Sequence, residues 1–131
     1  MWVLGEDSGL EVVGLGGGPG MASNRWAGPG EGHVEKLLHE LTQMARGARQ
    51  ARYVCELVAL SADGTEHRGA GTLAGRIAAE PRGSEGFGYD PVFIPEGEER
   101  TVAELGDAWK AANSHRARAA TALLGALAAR T

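Results

Sequence analysis

A chain of 131 residues, 43% of them apolar, can bury one modest core, so residues 1–131 read as a single domain. A net charge of −4 without any basic stripe excludes wholesale nucleic-acid binding but allows one nucleotide, which needs only a few local cations. The single cysteine, Cys55, excludes an internal disulfide and fits a reducing compartment. With no apolar run near the roughly 18 residues of a membrane span, and no signal-peptide pattern, the expected address is the cytoplasm.

In chain order, Val3-Leu4 and Leu10 to Leu15 predict short strands on either side of an acidic turn at Glu6-Asp7. Gly16 to Gly20, with Pro19, predicts a loop. From His33 to Arg46 the apolar residues Val34, Leu37, Leu38, Leu41, Met44 and Ala45 form one helical stripe, with Gly47 as its stop. Ala51 to Ser61 is rich in β-formers. Ala62-Asp63-Gly64 supplies a turn, and Thr65 to Ala79 returns as a second strand, which makes a β-hairpin. Its nearly continuous apolar run predicts burial on both faces, and Gly69, Gly71 and Gly75 mark places where a neighbour packs close. Pro91 to Ile94 predicts a short strand. Thr101 and Glu104 have capping-box spacing and open a helix through about Ala112. Ser114 predicts the N-cap of a final helix that buries Ala117, Ala120, Leu123, Leu124 and Leu127. The class is mixed α and β, a hairpin-centred sheet with helices packed against it.

Three groups of residues carry possible chemistry. Adjacent Glu6 and Asp7 bring two negative charges together, an arrangement that suits a hard divalent ion such as Mg²⁺, and a carboxylate beside such an ion can orient a water for attack on phosphorus. Asp-Ser-Gly is equally ordinary solvated-turn chemistry. In Gly86-Phe87-Gly88-Tyr89-Asp90-Pro91 an aromatic ring can stack on a nucleobase and Asp90 can accept from ring N–H groups; the same rings can instead plug the core. Lys110, His115 and Arg116 surround the start of the last helix, where the free N–H groups already favour an anion. Ordinary surface charge is the other reading. The run Gly14 to Gly20 fits no dinucleotide-binding register, since Pro19 or Met21 falls on its last position.

The ordered set Glu6-Asp7-Ser8-Gly9-Leu10, Leu15 to Gly20, Ser23-x-Arg25, Pro81-Arg82-Gly83, Gly86 to Pro91, Thr101-x-Ala103-Glu104-Leu105 and Lys110-x-x-x-Ser114-His115-Arg116-Ala117 resembles the inosine triphosphate pyrophosphatase family over almost the whole chain. The resemblance implies an elongated mixed sheet with helices on it and a cleft between two lobes. It further implies a cytoplasmic homodimer that uses Mg²⁺ to hydrolyse ITP, dITP or XTP to the monophosphate and pyrophosphate. By position, Asp7 matches the family's general base and metal-associated carboxylate, with Glu6 beside it. Ser8 matches a substrate contact. Phe87, Gly88, Tyr89 and Asp90 match the base-binding loop, with Phe87 as the stacking ring. Lys110, His115 and Arg116 match the groups that grip the purine's 6-oxo edge. Asn24 and Asn113 depart from the family pattern without touching its chemistry. The family's opening strand and its Thr/Ser-x-Asn-x-x-Lys loop, which wraps the triphosphate, have no counterpart ahead of Glu6. The expectation is therefore an amino-terminally truncated domain, slower on ITP than a longer form. The alternative is a non-catalytic nucleotide-binding or dimerisation module that has kept the fold.

Overall fold

The structure, a computed structural model, describes residues 2–20, 32–42, 49–83 and 88–128. Along the chain run β1 (Val3–Val12), a 3₁₀ turn (Val13–Leu15), β2 (Pro19–Gly20), α1 (His33–Leu41), β3 (Gln50–Leu60), β4 (Glu66–Ile77), β5 (Phe93–Pro95), α2 (Val102–Leu105), α3 (Asp107–Asn113) and α4 (His115–Ala128). The strands form one sheet in the order β2-β1-β3-β4-β5. Every described pairing is antiparallel, so the sheet is not mixed over these residues.

The hairpin β3–β4 forms where the β-formers and the turn residues Ala62-Asp63-Gly64 place it. Burial alternates strictly along β3: Ala51, Tyr53, Cys55, Leu57 and Ala59 are buried, while their neighbours are partly or fully exposed. The sheet is thus covered on one face and open on the other, which corrects the expectation of burial on both. On the open face, Glu11 pairs with Arg52 and Glu56 with Arg68. These are ordinary cross-strand ion pairs.

The covered face carries the core. Leu10 and Val12 of β1, Tyr53 of β3 and Leu73 and Ile77 of β4 pack with Leu37 and Leu41 of α1 and with Phe93, Val92 and Val102. A second cluster joins Cys55, Leu57 and Ala59 to Ala119 and Leu123 of α4. Helix α4 lies unusually close to β4, because a Cβ on Gly69 would strike the Leu123 amide and one on Gly71 the Ala119 amide. Two glycines in one strand form the bed for a helix. The buried stripe of α4 runs through Ala119 and Leu123, with Ala120 and Leu127 partly buried, and Leu124 points outward at 66% exposure. That corrects the predicted stripe by one position.

Two further corrections concern element ends. The acidic pair is not in a turn: β1 runs unbroken through Glu6 and Asp7, which pair with Leu57 and Glu56. The helix expected from Thr101 to Ala112 is two helices. The capping box is present, but Gly106, at φ 93°, takes a conformation no helix can contain and divides α2 from α3. Met44, Ala45 and Gly47 lie outside the described residues.

Candidate functional site

Among the described residues β1 borders the sheet at Val3 to Gly9, since β2 pairs with it only at Leu10 and Glu11. Beside that border is a cavity of about 470 Å³, lined on one side by Glu6 to Leu10 and on the other by Gly88, Tyr89, Asp90, Lys110, Ser114, His115 and Arg116. Segments more than 100 residues apart meet here: Arg116 donates from Nε to Glu6 Oε1 at 2.8 Å. A larger cavity of about 690 Å³ lies around Arg52, Arg76 and Glu96, away from these groups.

The pleat separates the two acids. Neighbouring side chains on a strand point to opposite faces, and the β1–β3 register has no bulge. Glu6 and Ser8 therefore share the covered face with Leu10, while Asp7 shares the open face with Glu11 and lies across from Glu56. Both acids line the cavity because it wraps the sheet border. Burial pushes the Glu6 carboxyl up, but the Ser8 hydroxyl, donating at 2.9 Å, and the Arg116 guanidinium outweigh that and hold it below the usual range.

Across the cavity, Asp90 is buried at 3% exposure. Its Oδ2 accepts from Lys110 Nζ at 2.5 Å and its Oδ1 from the Tyr53 hydroxyl at 3.2 Å. Both oxygens thus hold protein groups, and the Asp90 carboxylate serves as the seat of Lys110. Tyr89, expected either to stack on a ligand or to plug the core, is 5% exposed and belongs to the main core cluster, with its ring tilted against His33. Burial pushes its phenol up to about 12. Phe87 lies outside the described residues, as do Ser23 and Arg25.

Ser114 caps α4 as expected, its hydroxyl accepting from the Ala117 amide at 3.1 Å. That cap fixes His115 and Arg116 in the first turn. Burial, reinforced by the neighbouring Arg116 charge, lowers the His115 imidazole to about 4, so it is neutral at pH 7 and can both donate and accept. Its Nδ1 is buried without a hydrogen-bond partner among the described residues, and such atoms call for a ligand, water or function. The ring stacks on Tyr53, with centroids 4.6 Å apart and planes 11° from parallel.

Tyr53 and His33 also line the cavity and were not singled out by sequence. For Tyr53 a signal did exist: it is the one hydroxylated ring on the inward phase of β3, and a buried phenol needs a partner.

The carboxylates at the cavity are those of Glu6, Asp7 and Asp90, of which Asp90 holds Lys110 and Tyr53 and Glu6 holds Arg116. Among the described residues, no three His, Cys, Asp or Glu cluster as a metal cage. One or two carboxylates nevertheless fit Mg²⁺, which commonly takes its other ligands from water and substrate phosphates. No described helix is long and apolar enough to cross a membrane.

A family model described as the Ham1 family matches residues 1–126. The dITP/XTP pyrophosphatase of Bdellovibrio bacteriovorus is 48% identical over 127 residues, covering 95% of this chain and 64% of that protein. The dITP/XTP pyrophosphatase of Mycobacterium tuberculosis is 46% identical over 127 residues, with 95% and 62% covered. Among solved structures, the Staphylococcus aureus Ham1 protein superposes with a TM-score of 0.89 at 36% identity, covering 99% of this chain and 68% of that one. A HAM1 protein from Coxiella burnetii gives 0.89 at 35% identity, with 98% and 68% covered. The chain thus spans somewhat under two thirds of the length of these curated relatives.

Proposed function

The chain belongs to the Ham1 family, and on that footing we propose that it hydrolyses non-standard purine nucleoside triphosphates, ITP, dITP and XTP, to the monophosphate and pyrophosphate. The observation that carries this reading is the meeting, around one cavity, of the Glu6-Asp7-Ser8 strand with Lys110, His115 and Arg116. Two curated relatives of nearly half identical sequence bear the name dITP/XTP pyrophosphatase.

In this reading the purine lies against Lys110, His115 and Arg116. A 6-oxo ring presents an acceptor there, which lysine and arginine can meet only as donors. Adenine presents an amino donor at that position and leaves those groups unmatched, so ATP is disfavoured. Phe87 is the stacking ring and Ser8 a further substrate contact. Asp7 takes the proton from a water that attacks the α-phosphorus; the α–β anhydride bond breaks and pyrophosphate leaves. Asp7 would hold Mg²⁺, which would supply charge neutralisation along the phosphates when bound; Glu6, turned to the opposite face of β1, holds Arg116 instead. The 131 residues act as one domain, as a homodimer, in the cytoplasm.

Pyrophosphate release from ITP, XTP and ATP, with and without Mg²⁺, tests the reading. The expected result is turnover of ITP and XTP well above that of ATP, and dependence on the metal. Equal turnover of ATP would overturn the base assignment. Tight binding of ITP without turnover would favour a non-catalytic module.

A further inference from the structure

Lys110 and His115 approach the cavity from different helices, α3 and α4. One residue touches the support of both. Tyr53 is the fourth residue of β3, with its ring on the covered face, 8% exposed. Its hydroxyl donates to Asp90 Oδ1 while Lys110 Nζ donates to the other oxygen of the same carboxylate. Its ring lies nearly parallel to the His115 imidazole at 4.6 Å. It also packs against Phe93, a residue of zero exposure, with ring centroids 4.5 Å apart and planes tilted by 40°.

The geometry points to Tyr53 as a positioning residue for the nucleotide site, setting the place of Lys110 through Asp90 and the plane of His115 through the ring stack. The inference rests on the reading that this cavity takes the purine. Three physical arguments support it. The Tyr53 ring is buried in the main core cluster against Phe93, so its own freedom is small and the groups it holds inherit that rigidity. Burial, with Asp90 nearby, pushes its phenol well above the ordinary value, so the hydroxyl keeps its proton and remains a donor throughout the working pH range. A carboxylate held at both oxygens keeps one orientation, and losing the hydroxyl from Oδ1 gives it more freedom to turn and let the ammonium drift. A shift of about 1 Å in a positioned group can cost on the order of a hundredfold in rate.

Two substitutions separate the two duties. Tyr53→Phe removes the hydroxyl and keeps the stack. Tyr53→Leu removes both. With ITP as substrate, Tyr53→Phe should raise KM about tenfold, the value of a hydrogen bond to a charged group, with a smaller change in kcat. If Tyr53 acts through Lys110, then adding Tyr53→Phe to Lys110→Met should change KM by less than about twofold beyond Lys110→Met alone. A wild-type KM in Tyr53→Phe, or fully additive effects in the double variant, would overturn the role toward Lys110. The stack is read without turnover, from the His115 imidazole proton resonances of the ligand-free protein. They should stay near their wild-type positions in Tyr53→Phe and move in folded Tyr53→Leu, as the ring current is lost. Unmoved resonances in Tyr53→Leu would overturn the role toward His115; if that variant does not fold, shifted His115 resonances in Tyr53→Phe do so instead. Absence of any turnover by the wild-type protein would strike the function reading alone, and these resonances would still judge Tyr53.

Discussion

Gly71 of β4 and His115 of α4 meet backbone to backbone, so that a methyl group on Gly71 would fall on the His115 carbonyl oxygen. Gly71→Ala must therefore lift the first turn of α4 from the sheet. Overpacking of this kind costs about 1–3 kcal/mol, and the first turn carries two of the groups assigned to the purine. Urea unfolding should show the loss, and the KM for ITP should rise with it. Gly125→Ala in the same helix meets open space and should stabilise by about 0.5–1 kcal/mol, as alanine is the better helix former. A Gly71→Ala protein with wild-type stability and KM would show that the close approach is unimportant.

The Lys110–Asp90 pair has side-chain exposures of 19% and 5%. Removing one partner of such a pair leaves a charge with no counterpart in a poorly solvated place, at a cost of about 3–5 kcal/mol. Asp90→Ala should lose stability on that scale in urea. The double variant Asp90→Ala/Lys110→Met should recover part of it, since it leaves no orphaned charge. Additive losses would mean that the pair is better solvated than its burial implies.

Asp7 is exposed and lies on the open face of the sheet, with no role in the core. Asp7→Asn should leave the melting temperature nearly unchanged, as surface substitutions usually do, within about 0.5 kcal/mol. Loss of a general base should lower kcat for ITP by a factor of about 10²–10⁴. Undiminished pyrophosphate release would remove Asp7 from that role.

His115 makes the fold acid-sensitive. Burial first, then Arg116, with Lys110 acting in the same sense and Asp90 and Glu6 opposing, lower its imidazole from 6.5 to about 4 in the folded protein. In the unfolded chain it takes up a proton near 6.5, so between these values the unfolded state binds more protons and stability falls as the pH is lowered. The contribution of neutral His115 is complete above pH 6.5 and is lost on acidification toward pH 4. The stability difference between the wild type and His115→Gln, followed by urea unfolding, should be flat above pH 7 and shift in favour of the variant below 6. A difference independent of pH would contradict the buried neutral imidazole.

What could be read from sequence was whatever local chemistry decides. The hairpin follows from the β-formers on either side of the turn at Ala62-Asp63-Gly64, the α2 cap from the Thr101–Glu104 spacing, and the α4 start from Ser114. The continuity of β1 could not be read in this way. Gly5, Glu6 and Asp7 are poor strand formers, and only their pairing with β3 holds them extended. The grouping of the acids with Lys110, His115 and Arg116 came from motif order, and the structure supplies the contact between Glu6 and Arg116. The Tyr53–Asp90 bond joins residues 37 apart in sequence, and no spacing rule reaches that far. The single-faced burial of β3 is visible in its inward phase of Ala51, Cys55 and Ala59, but the partly buried valines at 54 and 58 disguise it.

The placement of Glu6 and Asp7 on opposite sides of one strand makes their identities exchangeable by sliding. A one-residue shift of β1 along β3 would turn Asp7 toward the helices and send Glu6 outward, leaving composition untouched and the chemistry inverted. Leu10 and Val12, both with zero exposure, resist that shift, because it would drag them out into solvent. Two buried aliphatic side chains therefore act as the ratchet that keeps each carboxylate at its post, and deleting a single residue between Ser8 and Leu10 would be more damaging there than most point substitutions.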